Sequence, residues 1–255
     1  MAVVRIKPDI YREWLARRDT RRLLALESGW LRDWVGQLHG QHLLYSGIDD
    51  VPRFLQRSRL AHNFSMGLEW QRDVVPRDTW MAQGAWPLPD NSVDVVVLQH
   101  VLDMSTHPHQ IIREAARVIV PNGYLIITGF NPYSLWGAVR WTRTFSTGLP
   151  WVSNPVSERR IQDWLTLLDF RSEYSGSIAH TWPVTLGSER ISRRVDRVLA
   201  GTRWLPASAY LHVARRTVLG MTPIRPRRWQ FNDSFSLQPA VGRVGLDLEK
   251  DISHV

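Results

Sequence analysis

The chain has 255 residues, 44% of them hydrophobic and 22% charged, with no cysteine and a formal net charge of +8. That length suits one large domain or one domain with additions. The lack of cysteine excludes disulfides, thiolate metal sites and cysteine nucleophiles. The opening MAVVRIKPDIYREW has no apolar core long enough for a secretory signal, and no run reaches the roughly 18 apolar residues of a membrane span. A cytoplasmic protein is expected.

Taken in chain order, Leu15, Leu23, Leu24, Leu31, Val35 and Leu38 recur near helical spacing, with Trp14, Trp30 and Trp34 between them. The pattern predicts helix over 9–38, ending at Gly36 or Gly40. HLLYSG, 42–47, predicts a short apolar strand, and Asp49 or Asp50 is expected to cap a short helix over 51–56. LAHNFSM and DTWMAQ each predict a strand, with little room for a helix between them. WPLPDNS, 86–92, is a turn. VDVVVLQHV, 93–101, is a nearly unbroken β-branched run, as in a strand buried on both faces of a parallel sheet. Asp94 reads as fixing the start of that strand.

THPHQIIREAARVIV, 106–120, predicts a helix with Thr106 as cap and Pro108 in its first turn. Ile111, Ile112, Ala115, Val118 and Ile119 make its apolar face. His107 and His109, two apart at the helix start, point to different faces, and no metal site is expected. YLIITGF, 124–130, is a second buried strand, which completes a βαβ unit. SERRIQDWLTLLDF, 157–170, predicts an amphipathic helix capped by Ser157. RSEYSGSIAH and AYLHVARRT predict two further strands around a basic helical insert at about 186–208. Three parts follow: an N-terminal helical segment, 1–40; an α/β domain, 41–222; and a tail, 223–255.

The positive charge is concentrated. Between Leu186 and Gln230 ten arginines face only Glu189 and Asp196, so this stretch carries the whole excess. It is either a solvated basic face or, through Arg190–Arg228, a surface for RNA or an acidic membrane. No serine-nucleophile elbow, phosphate-binding loop or zinc-protease helix is present.

Residues 86–132 carry a specific resemblance. Trp86-Pro87-Leu88-Pro89-Asp90, Ser92-Val93-Asp94, Arg113-Glu114-Ala115-Ala116-Arg117-Val118 and Pro121-Asn122-Gly123 resemble the fourth-strand to fifth-strand region of class I S-adenosylmethionine-dependent methyltransferases, type 11. Over 40–217 the resemblance holds as an order of elements. It implies a doubly wound, seven-stranded, mostly parallel sheet with helices on both faces, and a ligand site at the carboxyl ends of the strands.

It also implies S-adenosylmethionine as cofactor and methyl transfer to an unidentified acceptor. Gly47 matches the family's first glycine; the second and third fall at Asp49 and Val51, and the acid before the loop falls at Tyr45. The acid after the second strand would be Glu69, and the adenine-side acid falls at Ala82, beside Gln83. The resemblance places Tyr45, Ser46, Gly47, Asp49, Gln83, Gly84 and Gln99 at the cofactor, with His100 as the candidate catalytic residue. Asn131 reads as closing a turn. SLWGAVRWTRTF, 134–145, follows the fifth strand with aromatic residues suited to a small-molecule or lipid-like acceptor, or to packing. The alternative is an inactive scaffold whose Arg-rich segment binds RNA or an acidic membrane surface.

Overall fold

A computed structural model describes residues 8–72, 75–134, 153–179 and 207–217. The chain divides into two units, Met1–Leu219 and Gly220–Val255; all described residues belong to the first. The Arg-rich insert up to residue 206, the aromatic stretch from 135 onward and the tail from 223 lie outside the described residues.

Seven strands form one sheet: β1 (His42–Gly47), β2 (His62–Leu68), β3 (Thr79–Met81), β4 (Val93–Gln99), β5 (Ile119–Phe130), β6 (Phe170–Ala179) and β7 (Ala209–Arg216). Their order is β3-β2-β1-β4-β5-β7-β6. The first five run parallel and β7 is antiparallel to both neighbours. This is the doubly wound α/β sheet expected from the sequence. The chain reverses its winding between β1 and β4, which pair with Gly47 opposite Gln99.

Helices cover both faces. α1 (Pro8–Ala16) and α2 (Arg18–Val35) place Tyr11, Trp14, Leu23, Leu31 and Val35 in one core with Leu43, Tyr45, Val95, Val97 and Ile126 of the sheet. α3 (Pro108–Val118) and α4 (Glu158–Leu167) bury Ile111, Ile112, Ala115, Ile161 and Leu165 against Leu44, Val96, Leu98 and Ile127. Adjacent residues of each strand serve opposite cores because strand side chains alternate.

Several local expectations change. The helix expected over 9–38 is two helices, broken where Arg17 turns extended (φ −67°, ψ 144°). The break lets both pieces lay apolar residues on the same sheet. The helix expected at 51–56 is a 3₁₀ turn at Arg53–Arg57 with Pro52 before it, and Asp49 does not cap it. Its Oδ1 accepts the Val51 N–H at 3.1 Å, closing a local side-chain turn. α3 begins after His107 without a side-chain cap; the Thr106 hydroxyl donates to Gln83 Oε1 at 3.2 Å instead. Ser157 precedes α4 without a capping bond. Asp94 fixes the start of β1: its Oδ2 accepts the N–H groups of Gln41 and His42, each at 2.9 Å.

The motifs of 86–132 have a mechanical role. Arg117 donates to the carbonyls of Leu88 (2.8 Å) and Trp86 (3.1 Å) and pairs with Asp90 (2.6 Å) and Glu114 (2.8 Å). Glu114 Oε2 accepts the Trp86 N–H at 2.8 Å. One helix end thereby clamps the turn that feeds β4. The hydrogen bond from Arg117, with its charge, holds the Glu114 carboxyl below its usual range.

Candidate functional site

The carboxyl ends of β1 and β4 meet at the winding reversal, where ligands bind in sheets of this type. Tyr45, Ser46 and Gly47 end β1; Gln99 ends β4, followed by His100. All five are buried. The Tyr45 hydroxyl donates to Gln99 Oε1 at 2.8 Å and accepts the Asp49 N–H at 3.2 Å. Gly47 is needed for this closure. A Cβ there would strike the Tyr45 hydroxyl and stand 2.7 Å from Gln99 Cβ, closer than carbon atoms approach without displacement.

The network continues into α2. Gln99 Nε2 donates to Glu27 Oε2 at 2.8 Å, and Glu27 Oε1 faces His100 Nε2 at 2.8 Å. On its other side His100 Nδ1 faces Asp103 Oδ2 at 2.9 Å, and that oxygen also accepts the Phe130 N–H at 2.9 Å. Glu27 and His100 are 0% exposed and Asp103 1%. The protonated ring, with a donor on each nitrogen, is the form that matches two flanking carboxylates, which offer only acceptors. Burial acts to depress its pKa, but the Glu27 charge and the ring's hydrogen bonds to Asp103 and Glu27 prevail and raise it to about 10. Burial pushes the Asp103 carboxyl upward against the pull of His100.

His100 holds a left-handed backbone, φ 56°, sparsely populated for a residue with a side chain. Its amide is held by the Thr128 carbonyl at 3.0 Å, and its ring packs on Phe130 with centroids 4.1 Å apart. With both nitrogens engaged it has no free base. Its geometry is that of a charged clamp between α2, β4 and the loop after β4.

A second group of side chains holds the loop after β1. Gln71 Nε2 and Arg77 each donate to the Gly47 carbonyl at 2.8 Å, and Arg77 reaches the Asp49 carbonyl at 2.7 Å. The guanidinium lies over the Tyr45 ring, 5.1 Å from its centroid. Burial raises the Tyr45 phenol well above its ordinary pKa and also raises the Asp49 carboxyl. The positions where the family has glycines and an acid are therefore held by Tyr45, Arg77 and Gln71.

Tyr45, Gly47, Asp49 and Gln99 thus form one contact group. Ser46, the next residue along β1, is buried and its hydroxyl has no hydrogen-bond partner among the described residues. Gln83 and Gly84 follow β3 and face the start of α3. Gln83 Oε1 accepts from Ser105 (2.7 Å), Thr106 and the His107 N–H (3.1 Å), and a Cβ on Gly84 would stand 3.0 Å from Gln110 Oε1. Glu69, at the carboxyl end of β2, is exposed.

Sequence reasoning missed Glu27, Gln71, Asp103 and Arg77. Glu27 left a signal. It occupies a helical-spacing position in line with Leu23, Leu24 and Leu31, where an acid belongs only if a buried partner awaits it.

Comparison with known proteins agrees with this architecture. Residues 29–127 match the family model for a methyltransferase domain. That match takes in most of the 86–132 stretch, whose motifs carry the same resemblance. A curated relative, the uncharacterized protein YafS of Escherichia coli (strain K12), is 32% identical over 140 residues. The match covers 55% of this chain and spans little more than half, 57%, of that protein's length. Among solved structures, a SAM-dependent methyltransferase from Archaeoglobus fulgidus superposes with a TM-score of 0.54 at 15% identity, covering 75% of this chain and 94% of that one. Geranyl diphosphate C-methyltransferase from Streptomyces coelicolor A3(2) gives 0.52 at 14% identity, covering 78% and 81%. These likenesses establish the fold. No helix among the described residues is long and apolar enough to cross a membrane.

Proposed function

We infer that this chain is an S-adenosylmethionine-dependent methyltransferase. The observation that carries the reading is the winding reversal itself. Gly47 and Gln99 face each other at the carboxyl ends of β1 and β4, inside a stretch that matches a methyltransferase domain.

The side chains present suit the cofactor. Glu69, exposed after β2, is placed to accept from ribose hydroxyls. Gln83 turns its carbonyl toward α3 and leaves its amide NH₂ for an acceptor, which the adenine ring nitrogens provide. Gly47 and Asp49 present the loop along which the methionine part would lie, with Ser46 and Gln99 beneath it. Tyr45 and Arg77 hold that loop through the Asp49 amide and carbonyl. When bound, the cofactor supplies a methyl group already activated on a sulfonium. The chain then has to hold the acceptor in line with that methyl and exclude water. No proton transfer is asked of His100, whose nitrogens are both occupied.

Isothermal titration of the purified protein with S-adenosylmethionine and S-adenosylhomocysteine tests this reading. Saturable one-to-one binding of both is expected, and Gly47→Val should abolish it by displacing Tyr45 and Gln99. A folded parent that binds neither compound would end the reading.

A further inference from the structure

Beside the loop after β1 lies a cleft of about 870 Å³, lined by α1, α2 and residues 49–53. That volume falls in the range of small-molecule sites, roughly 300–1,000 Å³. Its walls come from the N-terminal helices and the outer side of the loop, and no residue of β2, β3 or β4 lines it. It therefore adjoins the site at the strand ends through Asp49 and is not the same space.

The lining has two characters. Leu15, Leu24 and Val51 provide apolar surface, and Val51 is 58% exposed. Arg21, on α2, and Arg53, on the 3₁₀ turn, both line it. Both are exposed, and neither has a hydrogen-bond or ion-pair partner among the described residues. Arg12, also on the wall, lies near Asp9 at 3.7 Å. The acids of the rim do not neutralise the two unpaired arginines. Asp49 is turned onto the Val51 N–H, and no ion pair joins Asp49 or Asp50 to Arg21 or Arg53.

Two forked donors lining one partly apolar cleft match an anionic oxygen group carried on an apolar body. We propose that this cleft binds the methyl acceptor, and that the acceptor is a small amphiphile bearing a phosphate or carboxylate held by Arg21 and Arg53. The word acceptor rests on the methyltransferase reading; the anion site does not.

The test uses octyl phosphate, octanoate and 1-octanol as probes, below their aggregation limits, in titrations of the full chain without cofactor. Octyl phosphate or octanoate is expected to saturate the parent, with the stronger of the two identifying the anion, and octanol to bind at least about tenfold more weakly. Arg21→Gln with Arg53→Gln should weaken the anion by at least about tenfold with an unchanged melting temperature, because both side chains are exposed. Arg21→Lys with Arg53→Lys should recover part of the loss, and Arg59→Gln, outside the cleft, should change nothing. The proposal is overturned if neither anion saturates the parent, or if the double glutamine variant keeps the parent's affinity. It is also overturned if S-adenosylhomocysteine competes the anion out, which would give the cleft to the cofactor. Anion binding through the arginines by a protein that ignores S-adenosylhomocysteine would keep the anion site and remove the methyltransferase reading.

Discussion

The two halves of the sheet solve the same packing problem differently. From β4 to β5 the chain makes a complete strand-helix-strand unit, its turn clamped by Arg117, its strands buried and its helix apolar on one side. From β1 to β3 the crossover helices have shrunk to 3₁₀ turns at Arg53–Arg57 and Glu69–Gln71. Cover for that side comes from α1 and α2, and the loop after β1 is held by long side chains. The contrast separates two ways of fixing a site. One uses backbone elements legible as periodicity, the other uses contacts between residues far apart in sequence.

The first way to break the comparison is in the regular half. Val96 is fully buried between β1 and β5, so Val96→Asp should cost about 4 kcal/mol or more and leave little folded protein, as thermal melts would show. In the other half, Glu27→Ala removes one wall of the His100 clamp and leaves a buried imidazolium and the Gln99 amide unpaired. A loss of about 3–5 kcal/mol is expected, with release of α2 visible as faster amide exchange over 18–35. If Glu27→Ala melted like the parent, α2 would not be held by this network.

The His100 clamp also has a pH signature. Its pKa is raised from the usual 6.5 to about 10 in the folded protein, so the folded state holds this proton more tightly than the unfolded chain. The stabilisation is fully present below pH 6.5 and is lost as pH rises toward 10, by up to a few kcal/mol in all. Denaturant midpoints between pH 6.5 and 10 should fall in the parent and fall much less in His100→Gln. A parent midpoint that is flat over that window would show the imidazole to be neutral at both ends.

Smaller effects sharpen the contrast. Asp94→Ala frees two backbone N–H groups at the start of β1 and should cost about 1–2 kcal/mol, measured by denaturant titration. Tyr45→Phe removes a single hydroxyl and should cost about 1 kcal/mol, yet loosen the loop after β1 enough to weaken S-adenosylhomocysteine. Equal affinity in Tyr45→Phe would mean that Arg77 and Gln71 suffice to hold the loop.

What the sequence made legible follows the same division. The β-branched run at 93–99, the apolar face of 108–118 and the turn motif of 86–90 are local patterns, and each predicts its element closely; 121–123, which ends the helix as expected, lies within β5 and is not a separate turn. The 60–83 region is the least legible: LAHNFSM and DTWMAQ could each be a strand with little room for a helix between them, and β2 and β3 stand there. The break at Arg17 was not, since both helices share one period. Nor was the network behind Gly47. Glu27 and Gln99 are 72 residues apart, so a glutamate on the apolar stripe of a helix announces a buried partner without saying which residue it is. Arg77 sits in an irregular loop, where no period marks a side chain that crosses to another strand's carbonyl.

The most direct test of the central claim, that the site at the winding reversal is a cofactor site held by side chains, is amide hydrogen exchange with and without S-adenosylhomocysteine. Slower exchange over 47–51 and 99–100 is expected on binding, with 108–118 unchanged. Unaltered exchange at 47–51 in a protein shown to bind the compound would place the cofactor elsewhere and contradict the account.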